Sequence, residues 1–157
     1  MTFESEMGQF TIELPEGWTH RIVEDDSGGY AVEFDPQGAH FRVMVRRFRT
    51  DLRIKTEEEF EHVLEGTLLG LEEVLHPMKV LERKVTKTGK SAFRADLVLR
   101  GKPGGNDVMQ RRRLLQPGAV PPASLFLLTA LCPAESFLVH RRVFETVFDA
   151  FAWTGKP

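Results

Sequence analysis

A chain of 157 residues with a formal net charge of −2 and 28% charged residues has the make-up of one ordinary globular domain, long enough to bury about two-thirds of its unfolded surface. That balance gives no global attraction to nucleic acid or to an anionic membrane, and no apolar run reaches transmembrane length. A single cysteine, Cys132, excludes an internal disulfide framework and suits a reducing compartment.

The opening MTFESEMGQF has neither the basic nor the apolar region of a signal peptide, so a cytoplasmic chain without a membrane anchor is expected. Phe10, Ile12 and Leu14 then alternate with Thr11 and Glu13, the period of a half-buried strand. Pro15-Glu16-Gly17 breaks that strand with turn chemistry, and Trp18 follows at once. A bulky aromatic in that place is expected to fill the core rather than a site. Beyond DDSGG, Tyr30, Val32 and Phe34 alternate, DPQG (35–38) turns, and Phe41, Val43 and Val45 return, so 30–48 reads as a β-hairpin.

The period then changes. Thr56 with Glu59 forms a capping box, and Glu57 and Glu58 complement the positive end of a helix. Phe60, Leu64, Leu68, Leu71 and Leu75 form its apolar stripe, and Pro77 ends it. Gly66 and Gly70 weaken this helix unless another element packs closely there, and a packing contact is expected. Strands are expected at 79–87 and 91–100 around Gly89-Lys90, then a loop at 101–107, a return strand VMQRRRLLQ and a proline-rich loop at 117–123. LFLLTALC (125–132) is apolar throughout and reads as a central strand covered on both faces. Phe137, Phe144, Val147, Phe148 and Phe151 share one face of a closing helix, with Trp153 just beyond. Strands, a long helix, more strands and a closing helix make an α+β protein: an antiparallel sheet covered by two main helices.

Chemistry-bearing motifs are scarce. His20, His40, His62, His76 and His140 form no ligand spacing with one another, and Cys132 stands alone, so no metal site is expected. KPGGND lacks the lysine-serine end of a phosphate cradle, and no nucleophile elbow occurs. The apolar neighbours of Cys132 predict an inert buried thiol. No catalytic residue and no cofactor is assigned.

Charge is unevenly spread: acids dominate the first thirty-five residues, and Arg42, Arg46, Arg47, Arg49, Arg53 and Lys55 follow. Pairing of acidic and basic rows across adjacent strands accounts for this. Arg111, Arg112 and Arg113 lie in a strand, so alternate ones must point to opposite faces. Few aromatics interleave with these arginines, which disfavours single-stranded nucleic acid as a partner.

FTIELPEGW, VEFDPQG, VMQRRRLL, FLLTALCPAESF and FETVFDAF, taken in that order, resemble the PsbP-like superfamily, which includes the Mog proteins, DcrB-like domains and the Eag chaperones of type VI secretion. The likeness runs along nearly all of 1–157, read as a single domain. It implies an α/β/α sandwich with a central, mainly antiparallel sheet flanked by two main helices. Gln110 and Thr129 are similar to positions in the return and final strands of the Eag branch. The resemblance implies no enzyme but a binding module: an adaptor or chaperone for another protein, engaged through apolar helices, with a homodimer as one arrangement.

Contacts are expected on whichever sheet face the helices leave open, for which Phe41, Val43, Val45, Met109, Arg111 and Arg113 are the candidates. Two alternatives stand beside this reading. One is a small-ligand carrier or enzyme with a pocket between sheet and helix, hinted at by His140, Arg141 and Gly104-Gly105. The other is a GTPase-binding regulator using acids at 24–26.

Overall fold

The computed structural model describes residues 1–24, 30–50, 54–118 and 123–155. Among them, strands β1 (Thr2–Ser5), β2 (Phe10–Glu13) and β10 (Phe151–Trp153) form a three-stranded sheet in the order β1-β2-β10. The remaining strands are β3 (Thr19–Glu24), β4 (Tyr30–Asp35), β5 (Arg42–Thr50), β6 (Met78–Gly89), β7 (Ala92–Gly101), β8 (Val108–Gln116) and β9 (Ala123–Pro133). They form a seven-stranded sheet ordered β3-β4-β5-β9-β8-β7-β6, and every pairing is antiparallel. Helices α1 (Glu57–Leu75) and α2 (Phe137–Asp149) lie on opposite faces of it. This is the α+β sandwich expected from the sequence.

The 30–48 hairpin forms with Phe34 opposite Val43 and Val32 opposite Val45. Its turn is held by the Gln37 amide, which donates to Asp35 Oδ1 at 2.9 Å, with positive φ at Gln37 and Gly38. Gly17 takes φ +84°, as the break after β2 demands. Trp18 is buried and meets Phe41 with ring centroids 5.6 Å apart, so it belongs to the core.

On the α2 side, the small sheet and α2 together cover Val32, Phe34, Val43, Val45, Phe126, Leu128 and Ala130, with Phe10, Phe144 and Phe148 driven into the middle. Each fully buried phenylalanine contributes roughly 1.5–3 kcal/mol. On the other side, Phe60, Leu64 and Leu68 of α1 pack on Phe93, Ala95, Leu97, Leu99 and Leu114. LFLLTALC is covered on both faces only at its start: Phe126, Leu128, Ala130 and Cys132 lie in the α2 core and Leu125 in the α1 core, but Leu131, on the α1 side, is exposed, so the expectation of a strand covered throughout fails there.

The capping box is half realised. Thr56 Oγ1 accepts from the Glu59 amide at 3.2 Å, while the Glu59 carboxylate accepts from the Lys55 amide at 3.3 Å rather than from Thr56. At the other end the Lys102 amide donates to the Leu75 carbonyl at 3.3 Å. Gly101 makes that approach possible, because a Cβ there would stand 2.7 Å from the same carbonyl oxygen.

Two expectations need correction. Gly66 and Gly70 are not packing contacts: a Cβ at either meets nothing within 4 Å among the described residues. Phe151 does not continue the closing helix but forms a strand with Trp153, which was expected just beyond it. They pair with Ile12 and Phe10 of β2, because edge hydrogen bonds and the stack of Phe151 on Phe10 (centroids 5.3 Å apart) outweigh further helical turns.

Candidate functional site

Phe41, Val43, Val45, Met109, Arg111 and Arg113 lie on one side of the sheet, but on its covered side, and all six are buried under α2 and the small sheet. They are therefore not an open face. Arg111 and Arg113 can be buried there because carboxylates meet them. Asp96 Oδ1 accepts from Arg111 Nη2 at 2.6 Å and from Arg113 Nε at 2.7 Å. Glu145 of α2 accepts from Arg111 Nε at 2.6 Å, and Asp149 from Arg113 Nη1 at 3.0 Å. Both guanidiniums lie over the Phe148 ring, at 5.2 and 5.8 Å. Burial alone would raise the Asp96 carboxyl, but the bonds from Arg113 and Arg111 prevail and hold it below the usual carboxylate range.

Among the described residues the uncovered surface has the opposite parity. α1 packs on β7 and β6, at one end of the sheet, so the α1-facing side chains of β4, β5, β9 and the near part of β8 extend beyond its cover. A groove of about 580 Å³ opens there. Leu71 and Val74 of α1 form its wall, and Met44, Leu127 and Leu131 its apolar floor. Gly70 also lines it, and its missing side chain keeps the wall low.

The polar groups in the groove are Glu33, Arg42, Arg46, Thr67, Gln110, Arg112 and Thr129. Glu33 is already engaged, by Arg21 at 3.1 Å and Arg42 at 3.4 Å, the cross-strand pairing expected from the charge pattern. Arg112 differs. Its Nε donates to Gln110 Oε1 at 2.6 Å, and among the described residues no carboxylate meets it. Burial, and then the like charge of Arg46, push its guanidinium down to about 10. Arg112 therefore stays charged at neutral pH at an energetic cost, in contrast to its paired neighbours. Gln110 and Thr129, the positions singled out by the resemblance, both line this groove.

Of the residues that hinted at a sheet–helix pocket, His140 is engaged in packing, while Arg141 lines two open clefts of about 420 and 480 Å³ between the sheet and α2. His140 rests on Phe41 with centroids 4.8 Å apart, and Arg141 grips Glu82 at 2.7 and 2.8 Å. Cys132 is buried, and desolvation pushes its thiol up. Among the described residues no three His, Cys, Asp or Glu side chains converge as metal ligands would, and no helix is long and apolar enough to cross a membrane. Asp25 and Asp26, the acids suggested for GTPase binding, lie outside the described residues, as does 119–122 of the proline-rich loop.

The sequence matches no known family's profile and no curated protein. Solved structures share the fold. Cyanobacterial PsbP from Synechocystis sp. PCC 6803 superposes with a TM-score of 0.68 at 12% identity, over 98% of this chain and 91% of that one. The Ran-binding protein Mog1p of Saccharomyces cerevisiae gives 0.63 at 11% identity, over 98% and 95%. LpqN of Mycobacterium tuberculosis, involved in cell envelope biogenesis, gives 0.59 at 11%, over 99% and 90%. The chain thus carries the PsbP/Mog-like fold, and at such identities the likeness establishes fold alone.

Proposed function

We propose that this protein is a non-catalytic binding module, an adaptor or chaperone for another protein, and that its partner docks in the groove between α1 and strands β5, β9 and β8. The observation that carries the reading is the strip of the sheet left uncovered among the described residues, where Met44, Leu127, Leu131 and the exposed Val74 offer apolar surface beside Arg42, Arg46 and Arg112. That one protein of this fold, Mog1p, is Ran-binding supports a role in protein recognition. In its sharper form the reading is an effector-loading chaperone like the Eag branch, supported by Gln110 and Thr129 lying on the groove. The decisive experiment is a tagged pull-down with wild type and with Val74→Arg and Leu131→Arg, substitutions at exposed positions that leave the core intact. A protein retained by wild type and lost from both variants is the expected result; recovery of the same proteins by all three would sink the assignment.

One observation favours a second reading, a carrier of small amphiphiles: a groove of about 580 Å³ with a charge-perturbed arginine at its floor is within the size range of ligand sites.

A further inference from the structure

Three arginines in succession on β8 meet different fates. Arg111 and Arg113 face α2 and each has carboxylate partners there. Arg112 faces the groove, cross-strand from Leu97 on β7 and Thr129 on β9. Only its Nε is bonded, to Gln110, which fixes the plane of the guanidinium. Its two Nη groups bond to none of the described residues, and neither is sealed away from the groove. Holding a half-buried cation without a counter-charge is unfavourable, and the neighbouring charge that acts on it, Arg46, makes it worse. Of the other charged groups lining the groove, Glu33 is held by Arg21 and Arg42, and Arg42 also reaches Asp35 at 3.3 Å. Among the described residues the groove therefore combines an apolar wall and floor with the preset fork of N–H donors on Arg112.

We infer that Arg112 is the receptor for a carboxylate, and that the groove takes a segment of a partner protein in which an acidic side chain is flanked by apolar ones. This rests on the docking reading above and adds the chemistry of the occupant. The fork of Arg112 matches a carboxylate bidentately, while Leu71, Val74, Met44 and Leu131 accept the flanking apolar groups. A protein segment fits better than a free small molecule because α1 walls the groove on one side only. A small ligand lying there would keep much of its surface in water, whereas a segment's outer face belongs to the rest of its own protein.

The test uses the full chain, isotope-labelled, and two short synthetic amphipathic peptides with a leucine stripe that differ only in a central glutamate or glutamine. Nuclear magnetic resonance follows the Nε–H signal of Arg112 and the amides of β5, β8 and β9. The glutamate peptide is expected to bind about tenfold tighter than the glutamine peptide, to shift the Arg112 signal, and to lose that preference in Arg112→Gln. The wild-type signal of Arg112 reports directly, so the test does not depend on the variant folding. Equal binding of the two peptides at the groove overturns the carboxylate inference and leaves the docking reading standing. A glutamate preference that survives in Arg112→Gln also overturns it. Perturbation of the groove by neither peptide, with dodecanoate equally silent, overturns both. Dodecanoate shifting Arg112 where neither peptide does would assign the site to a small anionic amphiphile and overturn the protein-segment assignment.

Discussion

Arg111 Nη2 and Asp96 Oδ1 stand 2.6 Å apart in the layer between the sheet and α2. Because Arg113 shares the same oxygen and Glu145 and Asp149 reach in from α2, this contact couples β7, β8 and α2. Asp96→Asn leaves Arg111 and Arg113 short of a counter-charge while buried, and is expected to cost about 3 kcal/mol. Thermal or urea unfolding measures it; a loss no larger than that of a surface substitution would show the network to be idle.

The same carboxylate gives a pH dependence with a definite sign. Its folded pKa lies below its unfolded one, so the unfolded chain binds more protons in that window. Its contribution is present above the ordinary carboxylate range and is lost as pH falls through the lower folded value. Wild type should therefore lose stability faster than Asp96→Asn on acidification, and urea titrations at several acidic pH values read the difference.

Arg112 shares that sign, stability rising with pH, but as a penalty at neutral pH rather than a gain. Its folded pKa is lowered to about 10, so neutral pH carries a penalty that fades as pH rises through that value toward the unfolded one. Arg112→Met removes the penalty and keeps the side-chain stem, and is expected to stabilise the fold by roughly 1–2 kcal/mol, discounted for the partial exposure of the site. A less stable variant would mean that the guanidinium contributes to the fold rather than being held for a partner.

Three glycines make a matched set. Gly101→Ala drives a Cβ to 2.7 Å from the Leu75 carbonyl oxygen and should destabilise by about 1–3 kcal/mol. Gly66→Ala and Gly70→Ala meet nothing within 4 Å and should each stabilise α1 by roughly 0.5–1 kcal/mol. Of the three, only Gly70 lines the groove, so Gly70→Phe should weaken partner capture while leaving the melting temperature unchanged or higher. Melting curves and the pull-down together check the set.

Trp18→Ala removes a buried ring from beside Phe41 and is expected to cost about 3–5 kcal/mol. In wild type its fluorescence should be blue-shifted and insensitive to a groove-binding peptide; a peptide-dependent shift traced to Trp18 would return it to the list of site residues.

Local pattern carried much of the fold. The alternation at 10–14 and 30–48, the stripe from Phe60 to Leu75 and the apolar run at 125–132 each answer to a period set by backbone geometry, so the residues that share a face were legible. Turn and cap positions at Gly17, Asp35 and Thr56 were legible for the same reason, since their chemistry acts within a few residues. Phe41, Val43, Val45, Met109, Arg111 and Arg113 do share a face, though the covered one and not the open one expected, and the alternate arginines of β8 divide between faces.

What alternation does not contain is which face is covered. A strand's period is unchanged when the sheet is turned over, so the choice depended on where α1 and α2 come to rest. Tertiary packing seats α2 and the small sheet over the first face, and the carboxylates of Asp96, Glu145 and Asp149 make the burial of Arg111 and Arg113 tolerable. It seats α1 at the β6–β7 end and leaves Met44, Leu131 and the uncompensated Arg112 open beside it. Phe151 shows the same division of labour: its spacing suits a helix, but β2, near the other end of the chain, offers unpaired backbone groups, and long-range pairing prevails over local period.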